Sequence, residues 1–180
     1  IAEAARRRGA RVILICASTT VEPPSSCEIV RVTSAEEMRT AVMKRLPEAT
    51  LVVMAAAVSD YTVKHVASQK LKRDGARSLE LEPTQDILRE VATKRNPGTL
   101  VVGFAAETED ILANGRSKLE RKGADAIVLN DVSSPSLGFD SEHNAGHFLT
   151  RNATVEILAT TKRAMAEQIL DEVSKLRRRT

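Results

Sequence analysis

Hydrophobic positions along this chain fall into short unbroken runs, and most are separated by stretches in which apolar residues recur at helical spacing. Residues 1–8 have helical composition, and Gly9 is placed to close that helix in a left-handed conformation. A buried strand is predicted over 11–17, and a short strand over 28–32. Ser34 with Glu37 three residues on is a capping box opening a helix to about Leu46. The strongly apolar run 51–57 is a strand. Residues 60–75 show no clean period, carry Lys64, Lys70, Lys72, Arg73 and Asp74, and are expected to form a mobile loop. A short alternating strand is predicted over 78–81, and Thr84 is the expected cap of a helix to Arg95 that Asn96-Pro97-Gly98 ends. Strand 100–105, helix 109–122 stopped by Gly123, and strand 125–129 follow. After a loop rich in Ser, Pro, Gly and Asn, runs 147–150 and 153–158 form a hairpin around Arg151-Asn152, and a last helix covers 162–176.

Apolar strands alternating with helices predict a three-layer α/β fold, Rossmann-like, with a mainly parallel sheet, helices on both faces and a late β-hairpin. A single domain over 1–180 is the simplest division. The opening helix feeds directly into a core strand, as the second half of a βαβ unit does. That unit's first strand, and the loop where doubly wound folds hold ligands, are therefore expected upstream of Ile1.

Composition narrows the picture. Hydrophobic residues make up 42% and charged residues 28% of the 180, but aromatics only 2%. The core must be built from Ala, Val, Leu and Ile, which suits a parallel sheet buried on both faces. The net charge is +3, and the clusters Arg6-Arg7-Arg8 and Arg177-Arg178-Arg179 are expected to be solvated helix faces. With so few aromatics to stack on bases, no nucleic-acid partner is expected. Cys16 and Cys27 make no disulfide framework, and Cys16 is expected to be a buried small hydrophobe. No apolar run is long enough to cross a bilayer, so no membrane partner is expected and the cytoplasm is the expected compartment.

Three segments lie where open α/β sheets gather ligands, beyond the carboxyl ends of strands. Met54-Ala55-Ala56-Ala57-Val58-Ser59-Asp60 offers small residues, which let a ligand approach the backbone, and then a carboxylate. Gly103-Phe104-Ala105-Ala106-Glu107-Thr108 offers an aromatic that either stacks on a ring or packs in the core. Asn130-Asp131-Val132 offers polar groups that either meet a ligand or start a turn. Lys118 and Lys122, four apart, share one helix face, and a polyphosphate would relieve their mutual repulsion; a solvated basic face is the plainer alternative. Lys70, Lys72 and Arg73 could close over phosphates with their loop. Neither GxGxxG nor GxxxxGK[ST] occurs, and His143 and His147 are separated by a turn-like Asn-Ala-Gly without the Glu of a metalloprotease.

In this order, the segments resemble the phosphopantothenoylcysteine synthetase family, the ligase half of a common bacterial bifunctional enzyme. Ala55 to Tyr61 resembles the family's AAVADY strand end, and Lys70 to Arg73 its KIKK loop. Val102 to Thr108 reproduces VGFAAET, and Asn130-Asp131-Val132 is followed as in the family by Gly138-Phe139 and Asn144. The resemblance implies ligation of 4′-phosphopantothenate to cysteine through an acyl-cytidylate, with CTP as cosubstrate and Mg2+ accompanying the triphosphate. It assigns Met54, Ala55 and Ala56 to backbone contact with the nucleotide, and it places Asp60 in the same site. Lys70 matches the loop lysine that closes on the site and assists conversion of the intermediate. Phe104, Lys118 and Lys122 match nucleotide-binding positions, and Gln85, Asp86, Ile87 and Leu88 align with the family's NPDI helix start. Here Thr84-Gln85 stands where that motif has Asn-Pro. The family's GPT strand and Gly/Ser-rich SSGKMG segment would lie upstream of Ile1, and FMN enters only with a preceding decarboxylase domain. A homodimer, or a higher oligomer with that domain, is the implied assembly. Other classes that fit the residues are a Rossmann-like NAD(P)-binding oxidoreductase and a noncatalytic nucleotide-binding remnant.

Overall fold

The computed structural model describes residues 1–19, 21–73, 75–107, 110–131 and 141–178, with the side chains of Glu107 and Asp131 outside that description. Helix α1 (Ala2–Arg7) leads into β1 (Ile13–Cys16), then β2 (Glu28–Arg31), α2 (Ala35–Arg45) and β3 (Leu51–Met54). Strands β4 (Tyr61–Val63) and β5 (Leu81–Pro83) precede α3 (Ile87–Lys94), β6 (Leu100–Glu107) and α4 (Ile111–Lys122). The chain continues through β7 (Ala126–Asp131), β8 (His143–Thr150) and β9 (Thr154–Thr161) to α5 (Lys162–Arg177).

Among the described residues, the central sheet has five strands in the order β3-β6-β7-β8-β9. β3, β6 and β7 run parallel, β8 returns antiparallel to β7, and β9 runs antiparallel to β8. The expected α/β sheet with a late hairpin is therefore present, and it is partly parallel. β1 and β2 form a separate parallel pair, and β4 and β5 an antiparallel ribbon.

Alternation along the strands sorts side chains to two faces. Val101, Ala105, Ile127, Leu129 and Leu149 meet α2, α3 and α4 through Met38, Val42, Leu88, Val91 and Leu119. Leu100, Val102, Val128, Phe148 and Ile157 meet Met165, Ile169 and Val173 of α5. Fully burying each Val, Leu, Ile, Met or Phe side chain among these contributes roughly 1.5–3 kcal/mol. α1 adds Ala4 against Ala166 and Leu170.

Gly9 takes φ +84° after α1 and Gly123 φ +67° after α4, the left-handed helix ends expected of them. The Ser34 hydroxyl accepts from the Glu37 N–H at 3.1 Å, but the Glu37 carboxylate reaches back to the Thr33 N–H and hydroxyl. The capping box is thus displaced by one residue.

Several expectations need correction. The strand expected over 51–57 ends at Met54, and Ala55 to Ala57 are exposed beyond it. Residues 61–63, expected in a loop, form β4, and its partner is 81–83 rather than 78–81. An isolated alternating run does not fix its own register; here backbone bonds from Thr84 N–H to the Asp60 carbonyl (2.9 Å) and from Lys64 N–H to the Glu80 carbonyl (3.0 Å) bracket it. Thr84 does not cap α3; Asp86 does, because its carboxylate reaches the Arg89 N–H at 3.1 Å. Cys16 is half-buried, since β1 pairs on one edge only among the described residues and stands at the margin of the core. Arg7 and Arg8 are not simply solvated: they pair with Glu167 at 2.8 and 2.7 Å, and Arg8 also with Asp171 at 2.8 Å, bracing α1 on α5.

Gly146 allows the closest approach in the sheet. A Cβ there would stand 1.8 Å from the Leu129 carbonyl oxygen, at the register shift between β8 and β9. Backbone on that side cannot yield as a side chain can. Gly146→Ala is expected to destabilise the fold by about 3 kcal/mol, measured as a lowered urea midpoint; a wild-type midpoint contradicts this contact.

Between α2 and α3, Arg39 makes two bonds to Glu90, at 2.6 and 2.9 Å, and Lys94 a third at 2.7 Å. The Arg39 and then the Lys94 hydrogen bonds pull the Glu90 carboxyl down from 4.5 to about 2, against a smaller opposing effect of burial. A folded value below the unfolded one gives stability that is full above pH 4.5 and lost as pH falls toward 2. The stability difference between wild type and Glu90→Gln should therefore be constant above pH 5 and shrink toward pH 2. A difference unchanged over that range, by urea titration at each pH, contradicts it.

Candidate functional site

β3 and β6 run in parallel register with Met54 opposite Gly103, so β3 ends beside the middle of β6, which runs on along β7 to Glu107. Gly103 has no side chain because two neighbours occupy the space: a Cβ would meet Leu88 Cδ2 at 2.6 Å and Ile127 Cδ1 at 2.7 Å. Leu88 therefore settles onto the strand, and the first turn of α3 comes down beside the end of β3 and the middle of β6. Ile87 and Leu88 are both buried by side chain, leaving their backbone as what they can offer a ligand.

The loop after β3 is tied to the approach to α3. The Thr84 hydroxyl donates to the Ser59 carbonyl at 2.5 Å, and its N–H donates to the Asp60 carbonyl at 2.9 Å. Ser59 Oγ donates to the Tyr61 carbonyl at 2.8 Å. Ala55, Ala56 and Ala57 are exposed on this lip, as are Asp60 and Gln85, and Met54 is half-buried against the helices.

Charge concentrates at the start of α3. One oxygen of Asp86 accepts the Arg89 N–H, and the other accepts Lys122 Nζ at 2.6 Å. The two side chains are 35% and 20% exposed. Burial is the largest influence on the Asp86 carboxyl and would raise it. The Lys122 hydrogen bond, the Arg89 N–H and the charges of Lys122 and Arg89 together outweigh burial, and the group lies below its ordinary value. A helix N-terminus carries partial positive charge and unsatisfied N–H groups, and here an ammonium is added. The arrangement suits an anion with several oxygens, such as a phosphate chain.

Not every expected residue joins this cluster. Phe104 turns to the opposite face of the sheet, where it packs against the α5 side of the core with Val128 as its cross-strand partner. Asn130, two residues beyond Val128, shares that face, and its Oδ1 is buried with no partner among the described residues. Lys118 is half-buried on α4, and Lys70 is exposed in the segment joining β4 to β5. Thr108, Val132, Gly138 and Phe139 lie outside the described residues. Sequence reasoning missed the tie made by Thr84. The signal available was a hydroxyl two residues before a capping Asp, a spacing that leaves it free to reach a neighbouring loop.

Comparison with known proteins adds what geometry alone does not. The model of the DNA/pantothenate metabolism flavoprotein C-terminal domain family matches residues 1–176. The chain belongs to that family. Among relatives of the family, the coenzyme A biosynthesis bifunctional protein CoaBC of Bacillus subtilis is 39% identical over 183 residues, covering 100% of this chain and 45% of the relative. CoaBC of Escherichia coli is 35% identical, covering 96% of this chain and 44% of its own length. The chain thus spans about half the length of the curated relatives it matches. The crystal structure of a CoaBC C-terminal domain superposes with a TM-score of 0.82 at 30% identity, over 99% of this chain and 81% of that one. A Cab2 variant in complex with phosphopantothenate-cysteine shares the fold at a TM-score of 0.62 and 18% identity, over 86% of this chain and 54% of that one.

The Thr84 tie is open to test. Thr84→Val removes the hydroxyl donor and is expected to cost about 1 kcal/mol, while Thr84→Ser keeps most of the stability. Equal urea midpoints for wild type and Thr84→Val would show that the bond does not hold the lip.

Proposed function

We propose that this chain is the nucleotide-binding part of a phosphopantothenate–cysteine ligase. It would use CTP to activate 4′-phosphopantothenate in the synthesis of coenzyme A. The observation that carries this reading is the Lys122 ammonium 2.6 Å from Asp86 at the α3 N-terminus, whose first turn packs on Gly103 of β6 opposite the end of β3. The family match over 1–176 favours it over a dinucleotide-binding oxidoreductase.

The chemistry follows from the substrates. A carboxylate is a poor acyl donor. Its oxygen attacks the α-phosphorus of CTP, a new P–O bond forms, and pyrophosphate leaves. The cysteine amine then attacks the acyl carbon, CMP leaves with its oxygen, and the amine loses a proton as the amide forms. Negative charge collects on the phosphates as the first step proceeds, and preorganised donors there lower its barrier. Backbone groups of Met54, Ala55 and Ala56, with those of Gln85 to Leu88, would bind the nucleotide, and Lys118 and Lys122 would offset its charge. Phe104 would contribute from the other face of the strand ends. Lys70 would close with its segment and assist aminolysis of the acyl-cytidylate.

Magnesium suits the oxygen donors present. Asp60 supplies one exposed carboxylate, and Mg2+ is commonly held by one or two carboxylates plus substrate phosphates. Asp60 would hold an ion that arrives with the triphosphate, and such an ion would offset phosphate charge.

Two further parts of the reading have support in the architecture. Among the described residues, β1 and β3 each hydrogen-bond a neighbour along one edge only, and α1 packs against α5 and Leu51. Another strand between β1 and β3, from outside residues 1–180, would bring the phosphopantothenate side of the site. On the β4–β5 ribbon, Tyr61 is 59% and Leu81 54% exposed, which supports pairing of two copies in a homodimer.

In the complete protein, Lys70→Gln is expected to slow amide formation on the order of a hundredfold while pyrophosphate release persists. Acyl-cytidylate should accumulate, as seen by phosphorus NMR of quenched reactions. An unchanged rate of cysteine coupling contradicts the role of Lys70, and absence of CTP-dependent ligation by the wild type contradicts the function.

A further inference from the structure

A carboxylate at the start of α3 poses a problem for any site that receives phosphates there. Both are negative, and both would compete for the same helix N-terminus. The structure resolves the competition by giving each Asp86 oxygen its own protein donor. Oδ1 takes the Arg89 N–H at 3.1 Å and Oδ2 takes Lys122 Nζ at 2.6 Å. The carboxylate is thereby neutralised by a cation belonging to a different helix.

The same contact has a consequence for Lys122. A lysine ammonium carries three N–H donors on a flexible four-carbon stem. One donor is engaged by Asp86, which leaves two for other acceptors. Lys122 is the last residue of α4, followed by Gly123 in the left-handed conformation, so its own backbone is fixed by the helix end. Stem and head are then held at both ends: by the α4 terminus and by a carboxylate that is itself anchored as a helix cap.

Resting on the nucleotide reading above, we propose that Asp86 is a positioning residue that holds the Lys122 ammonium at the α3 N-terminus, where its remaining donors meet an oxygen of the CTP triphosphate. Asp86 touches no phosphate in this arrangement and acts through Lys122. The alternative is a brace between α3 and α4 with no part in binding, and the two make different predictions.

Asparagine caps helices about as well as aspartate, so Asp86→Asn keeps the Arg89 bond and loses only the hold on Lys122. In the complete protein, Asp86→Asn is expected to raise the KM for CTP about tenfold, the worth of one charge-assisted hydrogen bond. Its kcat should stay within about twofold and its thermal midpoint within about 2 °C of wild type. Lys122→Gln should raise KM at least as much. The double variant should be no worse than Lys122→Gln alone, because one acts through the other. Additive effects overturn the proposal, as does an unchanged KM with a lowered midpoint, which marks a brace. A lowered KM also overturns it, since Asp86 would then be a competitor of the triphosphate. If the wild type shows no CTP turnover, the function assigned to the site falls and takes this inference with it; the wild-type control alone separates that outcome from the others.

Discussion

The burial of β6 is the constraint on which the other parts depend. It hydrogen-bonds β3 on one edge and β7 on the other, and Val101 and Val102 have no exposed surface. Its register is set at its start. The Asp125 carboxylate accepts the Val101 N–H at 2.7 Å, the Val101 carbonyl accepts the Asp125 N–H at 2.9 Å, and Arg95 pairs with the same carboxylate. The Thr99 hydroxyl donates to the Ala49 carbonyl at 2.8 Å on the β3 side. With the amino ends locked on both edges, the carboxyl ends have no freedom to slip. A one-residue shift would turn every apolar side chain to the wrong face.

From that fixed strand the site follows by packing. Gly103 lies where α3 comes down on β6, and the space a side chain would take there is filled by Leu88 and Ile127. The position of the α3 N-terminus is thus decided by core packing, while the charge around it is decided by Asp86 and Lys122, which are only partly covered. Packing places a dipole end, and an ion pair between two helices sets its polarity toward a ligand. These are separable properties, which is why substitutions of Leu88 and of Asp86 would be felt in different measurements.

Much of this was legible in the residues. The apolar runs within 51–57, 100–105 and 125–129 announce β3, β6 and β7, although β3 stops at Met54 and leaves Ala55 to Ala57 exposed, and Gly9 and Gly123 mark helix ends through chemistry that acts locally. What could not be read depends on partners distant in sequence. The register of the β4–β5 ribbon comes from backbone bonds between residues 60 and 84 and between 64 and 80. The cap of α3 passes from Thr84 to Asp86 because Ser59, 25 residues earlier, takes the threonine hydroxyl. Motif matching brought Phe104 and Lys122 into one set of positions, whereas alternation along β6 puts Phe104 on the α5 face. Lys122 pairs with Asp86 on the other face, since adjacency in a motif carries no information about the side of a sheet.

The division between core and ribbon bears on how such a site could work. Gly103, Leu88 and Ile127 belong to a core whose members are almost wholly buried, and local opening there approaches the cost of global unfolding. Tyr61, Leu71, Leu79 and Leu81 on and near the ribbon are all more than half exposed, so little apolar burial opposes movement of the segment that carries Lys70. Charges needed to hold a nucleotide in place belong on the first kind of element, where Lys122 is found. A charge needed only after the intermediate has formed belongs on the second, where Lys70 is found. The proposed chemistry requires both, in that order, because aminolysis can begin only once pyrophosphate has left.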